Sequence, residues 1–222
     1  MPRKNRTAPS VNPANRDSQP STVRYVLLAE DVALRTFVEG FLRHKEQNHQ
    51  GLIFTNAFRD IGVAGGETKF ENALRTTIED AFLLHDAHIF IGTRDTDKSD
   101  WKKLSTRFVS SIPDRWKNRC AFALPVKCIE TWLRIMKESV SGSNLSQNTL
   151  KQYIKEPCKT HQREVYGKPK TTEIQRAYIT KSITGKSDFN ALRTNQTDSF
   201  LAFEKAFDTA INAIRPQSTT GG

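Results

Sequence analysis

The chain has 222 residues, and 34 Lys and Arg against 24 Asp and Glu give it a formal net charge of +10. That length is enough for one domain with an appended segment and for a sizeable buried core. No stretch reaches the roughly 18 apolar residues of a membrane span, the N-terminus lacks an apolar signal core, and the three cysteines form no CxxC pair, so we expect a cytoplasmic protein rather than a membrane or secreted one.

The N-terminal segment, residues 1–22, is rich in proline, asparagine and basic side chains and has almost no large apolar residue. Such a segment buries too little apolar surface to offset the entropy lost on ordering. We therefore predict a disordered basic tail, which is either simply solvated or in loose contact with nucleic acid.

Short apolar runs alternate with helical patterns over residues 23–138. The runs VRYVLLA, GLIFT, AHIFIG and CAFALPV predict strands at 23–29, 51–55, 87–92 and 120–126. Apolar residues at helical spacing lie between and after them, near 34–42, 70–82, 101–108 and 129–136. This alternation predicts an α/β fold, a parallel sheet of about four strands flanked by helices.

The remaining residues have a different character. Residues 139–148 are polar and contain Gly and Ser, and residues 150–195 are rich in Lys, Thr and Asn with scattered apolar positions. A last helix is predicted from Asp198 or Ser199, because Phe200, Phe203 and Phe207 share one face. We interpret 139–215 as a helical extension packed on the sheet domain and 216–222 as a frayed end.

Acidic residues follow three of the predicted strands. Glu30 follows the first, Asp95 and Asp97 the third, and Glu130 the fourth. Because ligands of parallel sheets gather at the carboxyl ends of the strands, these side chains are expected at one edge. Clustered carboxylates suit Mg²⁺ (or Mn²⁺), which can orient a water and stabilise a leaving oxygen in phosphodiester cleavage.

Each acidic residue also has a structural interpretation. Glu30 could cap a helix, the Asp95–Thr96–Asp97 triplet could be a turn, and Glu130 could be an ion-paired helix residue. Cys128 is two residues from Glu130, but no base is placed beside it by the sequence, which favours a buried thiol. The glycine-rich loop at 62–66 lacks the GKS or GKT of a P-loop.

Three segments resemble the Toprim family, the catalytic domain of topoisomerases, bacterial primases and OLD-family nucleases. YVLLAEDVALRTFVEGFL (25–42) is similar to the family's strand–glutamate–helix opening, HIFIGTRDTDKSDW (88–101) to its DxD strand, and ALPVKCIETWL (123–133) to its strand leading to a glutamate and tryptophan. GKPK (167–170) and DSFLAF (198–203) resemble its C-terminal region. The resemblance is closest to small stand-alone proteins of bacterial phage-defence operons, often encoded beside an ABC-type ATPase.

The resemblance implies that Glu30, Asp95 and Asp97 hold Mg²⁺, with Glu130 as an auxiliary ligand or a base. It also implies a partner ATPase. Two positions depart from the family pattern, since Asp31 replaces the usual glycine and Leu34 replaces a second acidic residue. These departures leave open a degenerate, non-catalytic subunit that binds the ATPase or nucleic acid.

Basic residues lie in two groups that could bind a nucleic-acid backbone. Arg94, Lys98, Lys102 and Lys103 surround the DxD triplet, and Lys168, Lys170, Arg176, Lys181 and Lys186 lie in the extension. We predict phosphate contacts at Arg94, Lys168 and Lys170, although lysine-rich segments are often only solvated faces. The hypothesis from sequence is a Mg²⁺-dependent nuclease effector of an anti-phage defence system; a nucleic-acid-binding module that acts through its tail is a further alternative.

Overall fold

The computed structural model describes residues 21–48, 51–58, 64–97, 99–139, 145–168, 171–186, 189–195 and 197–214. Its strands are β1 (Ser21–Ala29), β2 (Leu52–Asn56), β3 (Ile89–Thr93) and β4 (Cys120–Ala123). Its helices are α1 (Val32–Asn48), α2 (Glu67–Leu83), α3 (Trp101–Ser110), α4 (Asp114–Lys117), α5 (Ile129–Ser139), α6 (Gln147–Lys155), α7 (Cys158–Tyr166), α8 (Glu173–Lys186), α9 (Asn190–Thr194) and α10 (Asp198–Ile214).

The four strands form one parallel sheet in the order β2-β1-β3-β4. This confirms the predicted α/β fold with a four-stranded parallel sheet. β1 begins at Ser21, two residues before the predicted start, and β4 ends at Ala123, three residues before the predicted end. The predicted N-terminal tail, apart from residues 21 and 22, and the predicted C-terminal tail lie outside the described residues.

Helices cover both faces of the sheet, so β1 is buried on both sides. Leu27 faces a core shared with α1, α5 and α10, while Val26 and Leu28 face a core shared with α2, α3 and α4. Two-sided burial explains why the strand is a continuous apolar run rather than an alternating one.

The C-terminal helices complete the core on the α1 side. Six phenylalanine rings from α1 and the C-terminal segment pack with centroid separations of 5.0 to 6.4 Å: Phe37, Phe41, Phe189, Phe200, Phe203 and Phe207. Edge-on and tilted contacts dominate, as expected from the ring quadrupoles. We call this group the phenylalanine cluster. It joins Phe189 and α10 to α1.

Helix α8 packs closely against α1. A Cβ atom at Gly40 of α1 would lie 2.4 Å from Oγ1 and 2.6 Å from Cβ of Thr184 in α8, so only glycine fits there. The contact sets how closely α8 packs on α1, and α8 supplies a side chain to the site described below.

None of the helices in the described ranges has both the length and the apolar character needed to cross a bilayer.

Candidate functional site

The site lies at the carboxyl end of the sheet between β1 and β3. In the sheet, β1 lies between β2 and β3. The chain runs from β1 to β2 on one side and later forms β3 on the other side, so the strand order reverses between β1 and β3. Diverging loops at such a point open a crevice in α/β proteins. Glu30 directly follows β1, and Asp95 follows β3 by two residues.

Glu30 is bonded to the loop after β3 through both its backbone and its side chain. Its N–H donates to Thr93 O at 2.9 Å, and its Oε2 accepts from the backbone N–H of Asp95 at 3.0 Å. Burial raises the pKa of Glu30 above its ordinary value; the Asp95 N–H and the charge of Arg94 oppose this rise, whereas Asp97 and Asp31 add to it. Glu30 is therefore in contact with the DxD turn, where the sequence analysis expected it.

Asp95 directs its carboxylate toward the start of α5. Its Oδ1 accepts from the N–H of Ile129 at 2.8 Å, which satisfies one of the free donors of that helix N-terminus. Burial and then the charges of Glu130, Asp31 and Glu30 raise the pKa of Asp95 well above its ordinary value. Acidic residues that follow β1 and β4 therefore raise the pKa of an acid that follows β3.

The rest of the DxD turn is anchored to the loop before α5. Thr96 is buried, and its hydroxyl donates to Pro125 O at 3.0 Å and accepts from the N–H of Lys127 at 2.8 Å. Asp97 has a left-handed φ of 50°, donates its N–H to Lys127 O, and is exposed. Asp97 is therefore the acid of this turn that faces solvent.

Glu130 lies in the first turn of α5 and has no exposed surface. Its Oε1 accepts from Arg176, and its Oε2 is buried without a hydrogen-bond partner. A buried carboxylate oxygen without a partner lowers the stability of the fold. It is also an acceptor that is still free to bind a cation or a proton.

Asp31, which stands where the Toprim pattern has glycine, has partners for both of its carboxylate oxygens. Its Oδ1 accepts from the N–H groups of Ala33 and Leu34 at 2.9 and 3.0 Å, so it caps the start of α1. Its Oδ2 accepts from Arg176 at 2.6 Å. The extra charge expected to crowd the site is therefore held by a helix N-terminus and an arginine.

Arg176 is the functional side chain whose role sequence reasoning missed, because the sequence places it only among the basic residues of the extension. From α8 it binds Asp31 and Glu130 with one nitrogen, and its guanidinium carbon lies 5.8 Å from the centre of the Tyr166 ring. Burial lowers the pKa of Arg176, but the charges of Asp31 and Glu130 outweigh this effect and hold it above its usual value. We call Glu30, Asp31, Asp95, Asp97 and Glu130 the carboxylate site.

Two of the three predicted phosphate-binding residues, Arg94 and Lys168, lie in the described part of the chain. Arg94 is fully buried and paired with Glu67 and Glu71, so a phosphate contact there would require these ion pairs to open. Lys168 is exposed just after α7, and Lys170 lies outside the described residues. The structure leaves these phosphate contacts as predictions.

Two cysteines meet beside the carboxylate site. Cys128 is buried and Cys158 is partly exposed. The interaction between the two thiols raises the pKa of Cys128 and lowers the pKa of Cys158, and burial raises the former further. Cys128 is a buried thiol, as the sequence favoured, but it has a second thiol as its neighbour.

The carboxylate oxygens of this site are ligands that suit a hard cation, although they do not form a complete coordination shell. Within the described ranges, no three or more His, Cys, Asp and Glu side chains form a group that could hold a metal ion. Mg²⁺ commonly takes only one or two carboxylates and completes its shell with water and substrate phosphate oxygens. Glu30 and Asp95, with raised pKa values, and Glu130, with a free oxygen, fit that smaller requirement.

Comparison of the chain with protein-family models, with curated proteins and with solved structures found no match.

Proposed function

We propose that the protein is a Mg²⁺-dependent nuclease that hydrolyses phosphodiester bonds of DNA or RNA at the carboxylate site. The observation that carries this proposal is the bond between Oε2 of Glu30 and the N–H of Asp95, which joins the ends of β1 and β3. Around that bond, burial and then the charges of neighbouring acids raise the pKa values of Glu30 and Asp95. Such a surplus of negative charge is relieved by a cation.

In this proposal each acid has its own task. Glu30 and Asp95 bind the ion, and Asp97 binds it from the solvent side. Glu130 either accepts a proton or hydrogen-bonds a water ligand of the ion through its free oxygen. A bound Mg²⁺ supplies polarisation of the phosphate and a lowered pKa for an attacking water. The bond from Ile129 to Asp95 fixes the direction of that carboxylate before substrate arrives.

The basic charge of the chain supports a nucleic-acid substrate. The net charge is +10, and Lys102 and Lys103 are exposed at the start of α3, a few residues from the DxD turn. Lysines near such a site neutralise backbone phosphates and position the scissile bond. An anti-phage role, a cytoplasmic location and an ABC-type ATPase partner belong to this proposal through the Toprim resemblance alone.

The test incubates the full chain with plasmid, single-stranded DNA and total tRNA, in Mg²⁺, in Mn²⁺ and in chelator. Cleavage is expected with metal and absent in chelator. Asp95→Ala and Asp97→Ala should each abolish it with an unchanged circular dichroism spectrum, whereas Glu164→Gln, which alters an exposed acid of α7, should cleave like the wild type. Unchanged activity in both aspartate variants, or no cleavage of any substrate with metal, would overturn the proposal.

A second candidate function is a non-catalytic subunit that binds the ATPase or nucleic acid. The observation that favours it is Arg176, which already supplies a positive charge to Asp31 and Glu130. Calorimetric titration separates the two candidates. A nuclease should bind Mg²⁺ or Mn²⁺ in a way that Glu30→Ala removes, and a subunit that has lost the chemistry should bind neither ion even with nucleic acid present.

A further inference from the structure

A cavity of about 180 Å³ lies between the start of α3 and the helices α5 and α6. Trp101, the first residue of α3, and Trp132 of α5 form part of its wall, together with Leu150 and Ile154 of α6. The cavity is smaller than the roughly 300 Å³ or more of sites for drug-sized ligands. Its size and its apolar wall therefore suit a single flat ring system.

Hydrogen bonds join the wall of this cavity to the DxD turn. Val126 belongs to the wall, and the next residue, Lys127, is bonded twice to the turn. The N–H of Lys127 donates to the hydroxyl of Thr96 at 2.8 Å, and its carbonyl oxygen accepts from the N–H of Asp97 at 2.8 Å. Trp101 follows Asp97 by four residues. The cavity is therefore a neighbour of the carboxylate site.

The buried ring of Trp132 has an unused hydrogen-bond donor. Trp132 has no exposed surface, and within the described chain its indole N–H has no hydrogen-bond partner. Because buried polar groups nearly always have a partner, this donor is available to an acceptor that enters the cavity. Nucleobases carry such acceptors in their carbonyl oxygens and ring nitrogens. A purely apolar ligand would leave the donor unsatisfied.

Charged side chains lie around the opening of the cavity. Lys151 is part of the wall and is exposed, and the ammonium group of Lys102 lies 5.6 Å from the centre of the partly exposed Trp101 ring. Asp198, an acid of the same wall, can accept from the exocyclic amino group of a base. Lysines neutralise backbone phosphates, and aromatic rings stack on bases. The surroundings of the cavity thus match the parts of a nucleotide.

We propose that this cavity binds one nucleobase of a single-stranded nucleic acid whose adjoining phosphate lies at the carboxylate site. The base stacks on Trp101 and accepts from the indole N–H of Trp132, while Lys102 and Lys151 bind the flanking phosphates. A base in a duplex would first have to leave its stack, so single strands are preferred. The position of the phosphate rests on the proposed function, but base binding itself needs neither metal nor cleavage.

The experiment measures binding by fluorescence anisotropy with the full chain in chelator. The labelled probes are a single-stranded DNA and RNA of the same mixed sequence, their duplexes, and an abasic strand with the same number of phosphates. The wild type should bind the single strands most tightly. Trp101→Ala should weaken that binding by about 5- to 150-fold, as expected when one stacked base loses its aromatic partner. Its affinity for the abasic strand should not change.

A second variant covers the case in which Trp101→Ala does not fold. Ile154 is 48% exposed in the cavity wall, so Ile154→Ala should keep the fold and still weaken binding of the base-bearing single strands. Ile174→Ala, which changes an exposed isoleucine of α8 outside that wall, is the matched control and should bind like the wild type.

The inference is overturned if the wild type binds the abasic strand or the duplexes as tightly as the single strands. It is also overturned if Trp101→Ala, when folded, or Ile154→Ala binds the single strands like the wild type. These results are separate from the cleavage test. Metal-dependent cleavage without base-specific binding would remove only the base site, and base-specific binding without cleavage would remove only the nuclease.

Discussion

The guanidinium group of Arg176 lies 3.0 Å from Oε1 of Glu130, a carboxylate with no exposed surface. The same nitrogen lies 2.6 Å from Oδ2 of Asp31, so one cation from α8 bridges two acids that follow different strands. The bridge compensates part of the negative charge of the carboxylate site. Burial, and then the neighbouring acids, still raise the pKa values of Glu30 and Asp95.

Arg176→Ala should destabilise the protein, because it leaves Glu130 buried without its partner. Removal of one member of a buried pair typically costs about 3 kcal/mol or more. The measurement is the free energy of unfolding from urea titration. Arg163→Ala, at an exposed position of α7, is the matched control and should change stability by less than about 0.5 kcal/mol. If both variants lose the same small amount, the bridge to Glu130 is not stabilising.

Asp95→Asn should flatten the dependence of stability on pH. The folded pKa of Asp95 is raised, so the stability contributed by its protonated form is fully present below its ordinary pKa and is lost as pH rises through the folded value. Each unit of that rise is worth about 1.4 kcal/mol. Asparagine stays neutral and can still accept from Ile129, so the stability of this variant relative to the wild type should increase as the pH rises above the ordinary pKa of an aspartate.

The measurement is the difference in melting temperature between variant and wild type across that pH range. Asp97→Asn serves as the control, because Asp97 is exposed in the same turn. A constant difference between Asp95→Asn and wild type at every pH would contradict the prediction.

Mg²⁺ should stabilise the wild type, a prediction that rests on the proposed function. An ion at about 100 times its dissociation constant contributes about 2.7 kcal/mol if it binds only the folded state. Glu30→Gln should lose this gain, and Glu164→Gln should keep it. Differential scanning calorimetry with and without Mg²⁺ measures the effect, and equal melting temperatures for the wild type in both buffers would count against a metal site.

Gly40→Ala should destabilise the protein by about 1 to 3 kcal/mol through overpacking. The added methyl group would meet Thr184 at 2.4 Å and push α8 away from α1, which also displaces Arg176. Gly185→Ala is a control in α8 itself, because its Cβ meets nothing within 4 Å. It should stabilise the helix by about 0.5 to 1 kcal/mol. Thermal unfolding of both variants tests the contact, and equal stabilisation of both would refute it.

The sheet was predictable because burial on both faces leaves a strong local pattern. The run from Val23 to Ala29 is apolar throughout, and the acids directly after the strands indicated the edge where they meet. The strand order was not predictable, since it depends on pairings between residues far apart in the chain. The strand order determines that Glu30 and Asp95 lie on adjacent strands.

The helices α6 to α9 were predicted only as part of a helical extension, without the bounds of any single helix. Each is anchored by a few buried side chains, such as Tyr153 in α6 and Leu192 in α9, and so few positions give a weak periodicity. Arg176 lies 145 residues from Asp31, and no local pattern distinguishes it from the neighbouring lysines. The signal that points to it is electrostatic. Several acids at one edge of the sheet require a nearby positive charge, but the sequence contains many basic residues that could supply it.

The phenylalanine cluster has a consequence for synthesis of the protein. Phe200, Phe203 and Phe207 belong to α10, the last helix of the described chain, which packs against β4 and over α1. While the chain is still on the ribosome, Phe37 and Phe41 therefore lack these ring partners until α10 has emerged. Prematurely terminated products would expose this aromatic surface and become clients of chaperones and proteases.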